Sequence, residues 1–121
     1  MEKDISLLSI STKDDVEKRK MVLLLAIGIS MALQKEVITL DEAEKFLFTP
    51  YTAVSLEKKG FSSEIVKIID LGCELENVLS IIPYHWDSSI NEILELSLEE
   101  LKKLPTAKPG SKKWLDKDQT C

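Results

Sequence analysis

Met21-Val22-Leu23-Leu24-Leu25-Ala26-Ile27-Gly28-Ile29-Ser30-Met31-Ala32-Leu33 is the longest apolar run of the chain, thirteen residues interrupted only by Gly28 and Ser30. A spanning helix needs about 20 such residues, so the run is too short for a bilayer and its length suits a buried core helix. Thr12 is placed to cap its start, with Asp14 and Asp15 beside the positive end of the dipole, and the helix is expected to reach about Gln34. Glu17, Lys18, Arg19 and Lys20 make the first turns solvent-facing. Beyond them both helical faces are apolar, which predicts a central helix enclosed by others. Gly28 and Ala32, four apart, predict close approach of a neighbouring backbone, since Gly28 lowers intrinsic helicity by roughly 1 kcal/mol relative to Ala and packing has to offset it.

The other helices follow from caps and breakers. Thr39-Leu40-Asp41-Glu42 has the spacing of a capping box, with Ile38 able to pack against Ala43. This helix is expected to turn Leu40, Ala43, Phe46 and Leu47 inward and to stop before Pro50. Pro50 opens the next one, which runs to Lys59 with Gly60 as its cap and Tyr51, Val54 and Leu56 as inward candidates. Ser62 or Ser63 starts a stripe of Ile65, Ile68, Ile69, Leu71, Cys73, Leu75, Val78, Leu79 and Ile82, and its periodicity favours one helix, straight or slightly kinked at Gly72. Pro83 ends it. The segment Pro83–Asp87 reads as a loop, and Asp87, Ser88 or Ser89 caps a last helix carrying Ile90, Ile93, Leu94, Leu98, Leu101 and Leu104, with a possible restart at Ser97.

The expected fold is therefore all-α: a compact bundle of about five helices around the central apolar one, in a single domain over residues 1–104. Residues 1–11 fit either a packed arm or a short strand. From Pro105 the chain turns polar and basic apart from Trp114-Leu115, and 105–121 reads as a flexible basic tail. With 44% apolar and 31% charged residues the chain is too apolar for a disordered protein. Cys73 lies in an apolar pattern and Cys121 is the last residue, so free thiols are expected; with no signal-peptide pattern at Met1–Asp4, the compartment is expected to be the cytoplasm.

The net charge of −5 is unevenly spread. Residues 60–101 hold nine acidic side chains against Lys67 alone, whereas 102–121 hold six Lys and two Asp. Glu64, Asp70, Glu74, Glu76, Glu92, Glu95, Glu99 and Glu100 fall on predicted helices. A surface of this kind repels nucleic acid and attracts basic protein surfaces, though an ordinary solvated face has the same composition. The basic tail can fold back on it or meet an anionic partner.

No constellation for catalysis stands out. His85 is the only histidine and Cys73 its lone companion, far from any metal-ligand spacing, so no metal or cofactor is expected. Cys73 reads as an inert core thiol. Gly28, Gly60, Gly72 and Gly110 are isolated, so no phosphate loop or dinucleotide fingerprint exists. The run Tyr84-His85-Trp86 has the composition of an interface hot spot, against the plainer reading that Trp86 plugs one end of the core and Tyr84 covers it.

The stretches Met21–Gly28, Ile38–Glu44, Leu47-Phe48-Thr49-Pro50 and Asp70-Leu71-Gly72-Cys73-Glu74-Leu75-Glu76-Asn77-Val78 resemble a family of small, functionally uncharacterised bacterial proteins, over roughly residues 15–104. These are caps, glycines and core positions, so the resemblance implies a shared helical fold and supplies no catalytic set. Size and charge are also similar to those of immunity proteins, which neutralise toxins of neighbouring cells; a likeness of this kind does not fix function. The resulting expectation is a protein-binding module that is not an enzyme, an immunity-like inhibitor in its specific form. Tyr84, His85, Trp86, Glu92, Glu95 and Glu99 are the candidate contacts to a basic partner such as a toxin domain, with neither nucleic acid nor membrane involved. The alternatives are a small hydrolase-type enzyme using carboxylates and His85, and a homo-oligomer subunit marked by an exposed apolar strip on the last helix.

Overall fold

Side-chain caps start three of the helices. In the computed structural model, which describes residues 15–106, Thr39 Oγ1 accepts from the Glu42 N–H at 3.1 Å while Glu42 Oε1 accepts from the Thr39 N–H at 2.9 Å, the reciprocal box expected from the sequence. Thr49 accepts from the Thr52 N–H at 3.0 Å ahead of Pro50, and Ser62 from the Ile65 N–H at 3.3 Å. The order is α1 (Asp15–Gln34), α2 (Leu40–Phe46), α3 (Pro50–Lys58), α4 (Ser63–Cys73), α5 (Leu75–Ile81), a 3-10 turn over Pro83–His85 and α6 (Trp86–Lys103). The described residues form an all-helical bundle. One helix more than expected arises because the long helix from Ser63 bends at Glu74 (φ −76°, ψ −11°), two residues past Gly72.

Helices α1 and α3 end in the same way. The Val37 N–H donates to Ala32 O at 3.0 Å and the Phe61 N–H to Leu56 O at 3.0 Å, each closing a turn over a left-handed residue. That residue is Gly60 (φ 87°) after α3 but Glu36 (φ 61°) after α1, where a side chain costs roughly 1 kcal/mol.

The core lies where α1, α4 and α6 meet. Helix α1 supplies Val22, Leu23, Ala26, Ile29 and Leu33, more buried apolar residues than any other helix, and its widest contact is with α6. Small buried residues, Ala26 and Ser30 on α1 and Ser97 on α6, keep those helices slim where they pack. The Gln34 side-chain amide donates to Asn91 Oδ1 at 2.7 Å, so the end of α1 sits beside the beginning of α6 and the pair runs antiparallel. Helix α4 packs on α3 and α6, and the connector before α3 inserts Phe48, which is fully buried. The Phe48 ring is seated on Gly72: a Cβ built there would overlap its Cγ and Cδ1.

Several expectations about faces are corrected. Close approach happens at Gly72 and not at Gly28, which is exposed with nothing within 4 Å of an added Cβ. Helix α1 is enclosed on one side only; Leu24 is 56% and Met31 41% exposed, because the shorter helices cover the core-facing side of a twenty-residue helix and leave its outer strip. Phe46 is exposed and Phe48 takes its place inside; on α3, Thr52, Ala53 and Leu56 face in while Tyr51 and Val54 face out. Leu79 is exposed, as is Leu98, and Ser97 is buried mid-helix with its Oγ–H donating to Ile93 O at 2.7 Å, so no helix restarts there. Helix α6 begins at Trp86 with no side-chain cap from Asp87, Ser88 or Ser89; Ser88 Oγ instead donates back to His85 O at 3.1 Å. The arm over 1–11, the Thr12 cap, Cys121 and the tail beyond Thr106 lie outside the described residues.

Candidate protein-interaction face

Glu92, Glu95 and Glu99 are all exposed and recur at the spacing of one helical face, so they form a ridge about 10 Å long on the outer side of α6. Ile90, Ile93 and Ser97 on the opposite side anchor the helix in the core and thereby aim that ridge at solvent. None of the three carboxylates is in an ion pair with a described cation; the pair found among the described residues is Lys103–Glu100, at 2.8 Å. Lys103 is drawn above its ordinary range by that hydrogen bond to Glu100, and Glu64 and Glu99 add to it. Glu100 is thereby withdrawn from the free acidic surface, and the end of α6 is placed near the start of α4.

The Tyr84-His85-Trp86 run is divided by the structure. Trp86 is half-buried and packs on the core, closing one end of it. Tyr84 does not cover that end: it is 80% exposed, its ring 4.9 Å from that of His85 and tilted by 45°. His85 is exposed too, and the 3-10 turn that carries both feeds directly into α6, seven residues ahead of Glu92 at the nearest. Tyr84, His85 and the three glutamates thus lie along one element and its entry turn, while Trp86 serves the core.

Sequence reasoning missed the apolar part of this end. Ile81 is 71% exposed and Leu79 is exposed as well, because α5 is only two turns long and buries Leu75 alone. The signal was present: Ile81 falls out of the Leu75, Val78, Ile82 stripe, so it had no place on the buried face.

A second acidic group brings Glu44 of α2 within electrostatic reach of Glu76 of α5. Burial raises the Glu44 carboxyl above its ordinary range, with Glu76 and Asp41 adding repulsion. Next to it, burial pushes the half-buried Cys73 thiol up to about 11, helped by Asp70, Glu44 and Glu74. A thiol held that high is almost wholly protonated at neutral pH and is a poor nucleophile. Among the described residues no group of three or more His, Cys, Asp or Glu side chains is arranged to hold a metal ion, and no helix is long and apolar enough to cross a membrane.

Among the described residues, six helices and a 3-10 turn define a small helical-bundle protein. A family profile described as a protein of unknown function, DUF3969, matches residues 11–116, and the chain belongs to that family. Neither curated proteins nor solved structures give a match.

Proposed function

We propose that this chain is a cytoplasmic protein-binding module that works by stoichiometric capture and not by turnover, with a basic protein surface as its partner and toxin neutralisation of the immunity type as its specific form. The observation that carries the reading is the presence, along one helix and its entry turn, of a three-carboxylate ridge unpaired by any described cation, Glu92, Glu95 and Glu99, and of an exposed aromatic side chain, Tyr84. Carboxylates steer and orient a basic partner, and a desolvated aromatic anchor supplies most of the affinity. The raised Cys73 thiol argues against a Cys73–His85 nucleophile pair.

The test is affinity capture by the full chain in its native host, followed by binding measurements with the captured protein. Changing Glu92→Lys together with Glu95→Lys is expected to weaken binding at least tenfold and to flatten its salt dependence. Tyr84→Ala is expected to weaken it without altering the salt slope. Circular dichroism should be unchanged in both, since all three side chains are exposed. Binding that ignores the charge reversals, or a captured partner that is acidic, rejects the proposal.

A further inference from the structure

A second surface feature lies between α1 and α6. Leu24, Ile27 and Met31 recur at helical spacing on the outer side of α1, with Leu24 and Met31 largely exposed. On α6, Leu94 is half-buried and Leu98 is 41% exposed. The Gln34–Asn91 hydrogen bond joins the two helices at one end of these rows and fixes them as the walls of one apolar seam. Counting back along antiparallel helices from that bond brings Leu98 about level with Ile27. Among the described residues, Leu24, Met31 and Leu98 are left exposed along it.

We propose that the occupant of this seam is the chain's own segment 107–116, seated by Trp114 and Leu115. Position comes first: the chain leaves the described fold at Thr106, just past the end of α6, and therefore at one end of the seam. Reach is sufficient, since the eight residues from Thr106 to Trp114 span at most about 28 Å, against about 15 Å along α6 from Leu104 to Leu94. Charge agrees as well. Lys112, Lys113 and Lys117 bracket the apolar pair, and Glu95 and Glu99 edge the seam on α6 without a described cation, so a basic partner at the ridge has to displace these lysines. Finally, the family match runs through residue 116, past α6 and over Trp114-Leu115, whereas it begins at residue 11 and leaves out the apolar residues Ile5 to Ile10 of the other end. Because α1 and α6 are antiparallel, both ends of the described fold lie at the same end of the seam, and the flanking lysines and the extent of the family match favour the C-terminal segment.

The proposal is tested on the full chain with no partner present, so that its failure and that of the partner-binding reading stay separate. Trp114→Ser is expected to shift the amide and methyl resonances of Leu24, Ile27, Met31, Leu94 and Leu98; shifts confined to the neighbours of residue 114 overturn it. In the reciprocal experiment Leu24→Glu with Leu98→Glu, both at exposed positions, is expected to move the Trp114 indole N–H resonance to that of a free tryptophan. The same pair of changes should raise acrylamide quenching of Trp114 severalfold in a Trp86→Phe background. An indole resonance that does not move overturns the proposal, and the NMR arm stands whether or not Trp86→Phe folds. Sedimentation velocity is expected to give a monomer at all concentrations; a dimer that dissociates on Leu24→Glu assigns the seam to a second copy and overturns the proposal too.

Discussion

Two glycines in helix interiors offer the same substitution with opposite outcomes. At Gly28 an alanine Cβ meets nothing within 4 Å, and the residue is exposed in the middle of α1. Gly28→Ala therefore gains the helix-propensity difference alone, about 1 kcal/mol. At Gly72 the same methyl collides with the Phe48 ring, which has no room to retreat because it is fully buried. Overpacking of this kind costs about 1–3 kcal/mol, and expulsion of the ring approaches the 3–5 kcal/mol of a Phe truncation. Set against the propensity gain, expulsion of the ring leaves Gly72→Ala destabilised by about 2–4 kcal/mol and the two variants roughly 3–5 kcal/mol apart. Urea unfolding followed by far-ultraviolet circular dichroism measures this directly, with unchanged m-values as the sign that both variants share one native state. Phe48→Ala removes the colliding Cγ and Cδ atoms, so Gly72→Ala on that background should lose less than on the wild type, a coupling read from the double-mutant cycle. A destabilised Gly28→Ala would refute the exposed strip on α1. A neutral Gly72→Ala would refute the seating of Phe48 and with it the way α2 and α3 are tied to α4.

Two further substitutions probe buried and crowded polar groups. Ser30 Oγ is buried without a hydrogen-bond partner among the described residues, so Ser30→Ala should stabilise the domain by about 1 kcal/mol and raise Tm by about 4–8 °C; a lower Tm shows instead that the hydroxyl is satisfied, as Ser97 is by Ile93 O. The Glu44 carboxyl is raised in the folded state by burial and by Glu76 and Asp41, so the folded protein holds its proton more tightly than the unfolded chain does. Stability from this group is then full below about pH 4.5 and is lost as pH climbs through the raised value, so Glu44→Gln should match the wild type near pH 4 and exceed it at pH 7 by a few tenths of a kcal/mol at most, given how well solvent screens the site. Denaturant midpoints at the two pH values check the sign, and a Gln variant that is weaker at pH 7 contradicts it.

Three helix starts were legible in the sequence because their signals are local: Thr39 with Glu42, Pro50 at a first helical position and Ser62 each act within one turn, whereas the uncapped starts of α5 and α6 gave no such signal. Faces were legible only where the apolar spacing left one solution, as at Ile65, Ile68 and Ile69. On α3 the choice between Tyr51 with Val54 and Thr52 with Ala53 is one of size against hydropathy, and adjacent helical positions differ by about 100°. The wrong pair looked more apolar. Phe48 escaped notice because it sits in a connector, where no period marks a buried residue. The close-packed glycine was misplaced for a related reason: what makes Gly72 indispensable is a ring twenty-four positions earlier, and nothing in its own neighbourhood announces that contact. The acidic ridge was legible because Glu92, Glu95 and Glu99 repeat on one face. The exposure of Tyr84 was not, since a plug and a hot spot share the same composition.

The pairing of α1 with α6 explains why core and surface can vary separately here. Helix α6 faces the core with Ile90, Ile93 and Ser97 and faces solvent with Glu92, Glu95 and Glu99, and the two sets interleave along the same helix. Reversing a ridge charge alters the field at the surface but removes no buried contact, and exposed substitutions of this kind usually stay within about 0.5 kcal/mol. A change at Ser97 or Ile93 does the reverse: it moves α6 against α1 and shifts every ridge carboxylate with it. Under the proposed function, loss of binding without loss of stability is therefore the signature of the ridge. Loss of both together marks the α1–α6 contact that holds the ridge in place, and a binding defect is informative about the face only when the unfolding midpoint is measured beside it.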